Sequence, residues 1–208
     1  MNIKILKAFS QINNGIVLKE GEPIQTISPE RNIFAIASDT ADFTFGIYDI
    51  PQFLGALSLT NEDRKISVSG SVMEITDSRT KLKYLGASPN LIVTPPEDVT
   101  PLTSLPTDNG FKLSSQDIKS ILQSCSVVNA DVIKFVFEGD AVTIITTGSG
   151  DDSNSFEISV PCNVTKSGEV TITKDTLKVI DMDYDVQISD KAVILTNPTV
   201  TYYLVRAQ

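Results

Sequence analysis

Histidine and tryptophan are absent from this 208-residue sequence. Without histidine the chain lacks the side chain most often used as a general base near neutral pH, and the commonest metal ligand. Cysteine occurs twice, at Cys125 and Cys162, and never as Cys-x-x-Cys, so neither a zinc ribbon nor a dithiol redox motif is present. Cys125 falls on an apolar helical pattern and reads as a buried free thiol. No apolar run reaches the ~18 residues needed to span a bilayer. At the start, Met1-Asn2-Ile3-Lys4-Ile5-Leu6-Lys7, lysines interrupt the apolar positions, whereas a secretory signal places its charge first and an unbroken apolar run after it. An intracellular protein is expected, and Asn163-Val164-Thr165, formally a glycosylation sequon, reads as chance.

Catalytic signatures are missing as well. There is no Gly-x-x-x-x-Gly-Lys-Ser/Thr phosphate loop. Gly148-Ser149-Gly150-Asp151-Asp152-Ser153 reads as a flexible hairpin loop. Asp181-Met182-Asp183-Tyr184-Asp185 begins like a calcium-binding loop, but Val186 and Ala192 stand where that loop needs its glycine and its bidentate glutamate. A solvated acidic turn is the better reading. Glu62, Asp63, Asp98 and Asp108 have no visible partner for acid–base work. A non-enzymatic protein with no cofactor and no metal is expected.

What the sequence does contain is enough apolar material for a core, 41% hydrophobic residues, and an acidic balance of 17 Lys+Arg against 26 Asp+Glu, a net charge of −9. A protein that holds DNA by neutralising phosphates is normally basic. An acidic chain can meet DNA only if its cations are concentrated on one surface.

Periodicity along the chain gives an α+β pattern. Ile3 to Asn13 reads as an amphipathic helix with Ile5, Leu6, Phe9 and Ile12 inward and Lys4, Lys7 and Gln11 outward. Strands are expected at residues 16–18, 23–27, 33–37 and 43–48. A second short helix, Pro51 to Leu59, carries the stripe Phe53, Leu54 and Leu57. Strands 66–68, 72–76 and 81–85 follow. Five prolines (Pro89, Pro95, Pro96, Pro101 and Pro106) then mark a stiffened connector. The second half repeats the order: a helix from Ser115 to Val127 with Ile118, Ile121, Leu122 and Cys125 on one face and Lys119 on the other, then strands 132–138, 142–147, 156–160 and 170–173. A fourth helix is expected over Asp175 to Asp181, Leu177 and Ile180 inward, Lys174 and Lys178 outward. Strands 186–189, 192–196 and 200–206 close the chain. The resulting division is a first domain 1–88, a connector 89–110 and a second domain 111–208, an internal duplication suited to a quasi-symmetric assembly.

Three segments carry a resemblance. They are Ser10-Gln11-Ile12-Asn13-Asn14-Gly15-Ile16-Val17-Leu18-Lys19-Glu20-Gly21, the run from Ile47-Tyr48-Asp49-Ile50-Pro51 through Phe53-Leu54-Gly55 and Leu57-Ser58-Leu59 to Asp63, and Ile75-Thr76-Asp77-Ser78-Arg79-Thr80 followed by Tyr84 and Ala87-Ser88-Pro89. In order and spacing this half of the chain resembles the sliding clamps of T-even-type bacteriophages. The second half is similar in element order more than in residues. The resemblance implies a DNA-clamp fold: two similar domains, each with two short helices packed on antiparallel sheet, assembled head to tail as a homotrimeric ring with helices inside. It also implies duplex DNA in the hole, a clamp-loader ATPase that opens the ring, a replicative DNA polymerase docked through a C-terminal peptide, a role in late transcription, and residence in the cytoplasm of an infected bacterial host with no membrane contact.

On that reading Lys4, Lys7, Lys119 and Lys178 are the expected DNA-facing residues. Leu102, Leu105, Tyr202 and Tyr203 are the expected lining of the partner pocket beside the connector. The chief alternative is a β-rich virion structural protein, which would account for the strands and the acidity but not for lysines recurring on helix faces.

Overall fold

The computed structural model describes residues 2–148 and 154–207, so residues 149–153 of the expected glycine-rich hairpin loop lie outside the described residues. The chain divides into two compact units, up to Glu97 and from Asp98 onward, with the division inside the proline-rich stretch.

The first unit begins with helix α1, Ile3–Phe9. The Asn2 side chain accepts the Lys4 N–H at 3.1 Å and so satisfies one of the donors a helix leaves free at its start. Strands β1 (Ile16–Leu18), β2 (Pro23–Ile27), β3 (Ile33–Thr40) and β4 (Phe45–Ile47) follow. Helix α2, Ile50–Ser58, is capped by Asp49, whose carboxylate accepts the Gln52 N–H at 2.7 Å, and Pro51 sits in its first turn where no donor is needed. Strands β5 (Lys65–Ser69), β6 (Val72–Thr76) and β7 (Lys81–Leu85) form a meander. β1 pairs with β4 and β2 with β3, all antiparallel. The two helices pack on each other, and Ile5, Leu6, Phe9, Phe53 and Leu57 are buried.

The second unit opens with the one-turn helix α3, Thr100–Thr103, and strand β8, Thr107–Leu113. Helix α4, Ser115–Val128, has a complete capping box: Ser114 and Asp117 bond reciprocally to each other's backbone N–H. It ends at Asn129 in the left-handed region, φ 55°. Strands β9 (Val132–Glu138), β10 (Ala141–Thr147), β11 (Ser155–Pro161) and β12 (Gly168–Thr173) form a sheet in the order β11-β10-β9-β12. Strands β13 (Tyr184–Ser189), β14 (Ala192–Thr196) and β15 (Val200–Val205) continue from β8 in the order β8-β13-β14-β15. α4 lies on β9, β10 and β11.

The two units thus share one plan. α1 corresponds to α4, β1–β4 to β9–β12, and β5–β7 to β13–β15. The matching pairs β1–β4 and β9–β12, and β2–β3 and β10–β11, are antiparallel in both units.

Several elements depart from expectation. The first helix stops at Phe9. Ser10 Oγ then donates to the Lys7 carbonyl at 2.8 Å, and the Gln11 and Ile12 N–H groups reach back only three residues, so the end tightens into turns. The fourth helix does not form; a single 3₁₀ turn, Lys174–Thr176, stands in its place. Leu177 is buried as expected, but at φ −81°, ψ 50° it leaves helical geometry. Val179 and Ile180 favour helix weakly, and the Ile180 N–H and C=O are held by the Tyr202 and Tyr184 hydroxyls at 3.3 and 2.9 Å. Leu122, expected inward on α4, is 36% exposed, because Ser124 takes an inward place through a 2.8 Å bond to Thr146.

Asn13 ties the first unit together after α1. Its amide donates to the Ile27 carbonyl at 3.0 Å and the Val93 carbonyl at 2.9 Å, and its oxygen accepts the Gly15 N–H at 3.0 Å. Asn13→Ala leaves all three backbone groups without that partner, and a loss of about 2–3 kcal/mol is expected as a lower urea midpoint. An unchanged midpoint would contradict the role given to this side chain.

Candidate nucleic-acid interface

Burial of Ile5, Leu6 and Phe9 fixes the rotation of α1, and three-residue spacing then brings Lys4 and Lys7 together on its exposed face. Neither has a carboxylate within ion-pair distance among the described residues. Lys178 is exposed too, just past the 3₁₀ turn, with its own N–H donated to the Thr176 carbonyl at 2.9 Å.

Lys119 is in a different state. Its Nζ lies 2.6 Å from Asp181 Oδ2 on an exposed part of α4. The Ser115 hydroxyl donates to the same carboxylate, and the Ser115 N–H donates to Asp183 Oδ1 at 2.8 Å. The Asp181–Asp183 segment therefore folds onto the start of α4, where carboxylates interact favourably with the helix dipole. It is an acidic turn with a structural duty. Among the described residues no group of three or more His, Cys, Asp or Glu could hold a metal ion.

Most lysines on or beside the strands are matched, although Lys65 on β5 and Lys191 before β14 have no carboxylate within ion-pair distance among the described residues. Lys81 and Lys83 flank Glu74 at 3.1 and 3.6 Å, Lys112 meets Asp185 at 3.3 Å, and Lys134 meets Glu169 at 3.2 Å. Lys166 lies 2.8 Å from Asp108, and Lys174 lies 3.0 Å from Asp131. Exposed pairs of this kind add little stability, but each removes a local positive charge. Lysine availability is therefore uneven: Lys4, Lys7 and Lys178, like Lys65 and Lys191, are open to an external polyanion, whereas Lys119 already has a carboxylate.

The expected pocket residues are less uniform. Leu102 on α3 and Leu105 just after it are half-buried, as is Tyr203 on β15, whose phenol is pushed up by burial. Tyr202 is fully buried, its ring centroid 6.1 Å from that of Tyr184, and burial pushes its phenol up to about 12. Successive side chains on a strand point to opposite faces, so Tyr202 and Tyr203 do not line one pocket, and Tyr202 belongs to the core. Cys125 and Cys162 are both buried and free, with burial raising both thiols above their ordinary range. Neither is a nucleophile.

The Asp181 ion pair and the polar tie at Asn13 were not foreseen. Asp181 is 62 residues from Lys119 by their numbers, and no local pattern links the two. Asn13, by contrast, stood in the turn signal Asn13-Asn14-Gly15, where a buried structural asparagine could have been suspected.

No family model matches the chain. Among individual proteins, it is 32% identical to the sliding clamp of Enterobacteria phage T4 over 154 residues, which is 72% of this chain and 65% of that protein. It is 28% identical to the sliding clamp of Vibrio phage KVP40 over 89% of this chain and 87% of the relative. It is 30% identical to that of Escherichia phage RB69 over 73% of this chain and 66% of the relative. The matches to the T4 and RB69 proteins thus span slightly less than two thirds of those proteins. Two solved structures share the fold: the proliferating cell nuclear antigen of Thermococcus kodakaraensis, with TM-score 0.72 at 16% identity over 99% of this chain and 95% of the other, and that of Entamoeba histolytica, with TM-score 0.71 at 13% identity over 99% and 94%.

The Lys119–Asp181 contact gives a titration prediction. Hydrogen bonds from Lys119 and then Ser115 hold the Asp181 carboxyl below the usual carboxylate range. A depressed carboxyl pKa means that the contact's stabilisation is present at neutral pH and is lost as pH falls through the lowered value. Carboxyl-detected NMR titration should find Asp181 low, and Lys119→Ala should move it back up toward the usual carboxylate range. An Asp181 pKa indifferent to Lys119→Ala would mean that the pair does not persist in solution.

Proposed function

We propose that the chain is a sliding clamp of the phage type, to which it is similar in sequence, and that three copies join head to tail into a ring that encircles duplex DNA and tethers a replicative DNA polymerase. A clamp-loader ATPase opens the ring on DNA in the cytoplasm of an infected bacterial host, and the same ring serves late-transcription factors. The protein works by linkage rather than catalysis.

The supporting observation is the partition of charge. An acidic protein, net −9, leaves its α1 lysines unneutralised while matching most lysines of its sheets to carboxylates. A surface binder with this net charge would be repelled by DNA. A ring needs only weak attraction at its inner wall, since topology keeps it on the duplex. Lysine suits that wall: its ammonium attracts phosphate without the fixed bidentate geometry of arginine, so the contact can slide. We assign Lys4, Lys7, Lys178 and, in exchange with Asp181, Lys119 to this wall. Nothing in the fold or among the relatives favours a virion component.

The test is loading. With its loader and ATP on closed circular DNA, the protein should stay bound in salt that abolishes ordinary electrostatic binding, and it should leave when the circle is cut. Changing all four lysines to alanine should lower loading while sedimentation still reports a trimer. Tight, salt-sensitive binding to linear duplex with no dependence on topology would sink the proposal, as would a monomer at every concentration.

For the polymerase peptide, Leu102, Leu105 and Tyr203 remain the proposed anchors, since a few apolar contacts dominate such interfaces. Leu105→Ala and Tyr203→Ala should each weaken binding of the polymerase C-terminal peptide by about 5- to 30-fold, a loss of ~1–2 kcal/mol, with the trimer intact. Normal binding by both variants would remove the pocket from this region.

A further inference from the structure

The meander of the first unit and its counterpart in the second carry opposite chemistry on the same face. Register fixes the rows. Lys65, Thr76 and Lys81 stand abreast on β5, β6 and β7, then Ser67, Glu74 and Lys83, then Ser69, Val72 and Leu85. Directly opposed residues on neighbouring strands share a face. Alternation sends Met73, Ile75 and Tyr84 to the other side, where Met73 and Ile75 are fully buried and the Tyr84 ring meets Phe53 of α2 edge-on, centroids 5.0 Å apart.

Turns of equal length join β13, β14 and β15, so the second unit can be matched position by position. Its rows are Asp185, Thr196 and Thr201, then Gln187, Ile194 and Tyr203, then Ala192 and Val205. Where the second unit has Asp185, Thr201 and Tyr203, the first has Lys65, Lys81 and Lys83. One face is largely apolar, with Ile194 buried and Tyr203 half-buried; the other is basic.

The basic face is the exception to the matching of sheet lysines. Three lysines share it with one carboxylate. Lys81 and Lys83 lie 3.1 and 3.6 Å from Glu74 yet keep 61% and 65% of their side-chain surface exposed. Hydrogen bonding from Lys81 holds the Glu74 carboxyl below its usual range, so it stays charged and cancels one ammonium of the two. Lys65 has no carboxylate within ion-pair distance among the described residues. Successive rows are ~7 Å apart and the outer strands ~10 Å, about one Debye length, so the surplus acts as one patch. The Asp77 carboxylate is turned to the N–H groups of Asn61, Arg79 and Thr80, at 2.8, 2.8 and 2.6 Å. Glu62 lines a cleft with Ile66 and Val68, which belong to the opposite side of the strand, and Asp63 lies in the turn before the first row. At the far end of the patch Leu85 is 75% exposed, with half-buried Val72 beside it.

We propose that this face docks an extended acidic segment of a partner protein, with carboxylates at alternate positions beside Lys81 and Lys83 and an apolar residue two positions further on, over Leu85 and Val72. An extended chain presents side chains on one face every ~7 Å, the spacing of Lys81, Lys83 and Leu85 along β7. A nucleic acid fits worse, since Glu74 stands in the middle of the patch and no aromatic ring is on it to stack a base. A second copy fits worse too, because its alternating acidic run at Asp181 and Asp183 is already bonded to Lys119 and Ser115. This docking is independent of the encirclement of DNA and can hold or fail without it.

The experiment titrates the isotope-labelled full chain with the peptide acetyl-Asp-Ser-Asp-Ser-Leu-amide and follows the backbone amides by NMR. Shifts should saturate and centre on Lys65, Lys81, Lys83 and Leu85, and added salt should weaken them. Lysine in place of both aspartates should abolish binding. Lys81→Ser with Lys83→Ser, two exposed changes, should weaken the aspartate peptide on the order of tenfold, and Leu85→Ser about threefold or more. Lys134→Ser, on a sheet of the second unit, should leave it unchanged. The absence of saturable shifts on these rows overturns the proposal, as does equal binding of the aspartate and lysine peptides. A single-stranded oligonucleotide that takes the same rows more tightly than the peptide overturns it as well, by making the face a nucleic-acid surface. So do shifts on these rows that appear on concentrating the free protein, which would mean that another copy holds the face.

Discussion

Everything in this fold depends on covering one face of an antiparallel sheet with a single helical stripe. In the second unit Ile118, Ile121 and Cys125 of α4 are buried over β9, β10 and β11. In the first, Ile5, Leu6 and Phe9 of α1 are buried against its neighbours. A helix held by one stripe leaves its opposite face free of any packing duty. That freedom is what lets an acidic protein keep cations where a polyanion can reach them, and it explains why α1 can carry two adjacent lysines at no cost to its core.

Capping chemistry decides where the helices begin. Asn2, Asp49 and Ser114 each bond to a backbone N–H two or three residues on. These signals are local and agree with the helix starts that apolar periodicity had indicated. Most strands were legible as well, since alternation on a half-covered sheet leaves a period of two: β12, β13 and β15 each bury alternate residues.

The misreadings share a cause. Residues 175–181 show the right apolar spacing for a helix, Leu177 and Ile180, yet distant groups claim the backbone: Tyr202 and Tyr184 take Ile180, and Asp181 is drawn to Ser115 and Lys119. Tyr202 was expected to line a partner pocket together with Tyr203, but the pleat sends it inward and buries it. The exposure of Lys4, Lys7 and Lys119 was legible from helical periodicity, whereas Lys178 was read from a helix that does not form and the carboxylate beside Lys119 was not legible.

The buried state of both thiols has a practical consequence for spectroscopy. Cys125 and Cys162 are shielded and hard to ionise, so a maleimide dye should ignore them under mild conditions. A lone cysteine engineered on an exposed strand end then becomes the single reactive handle per chain. Donor and acceptor fluorophores can be installed on the otherwise native molecule, and the proposed joining of copies into a ring can be followed in real time by energy transfer.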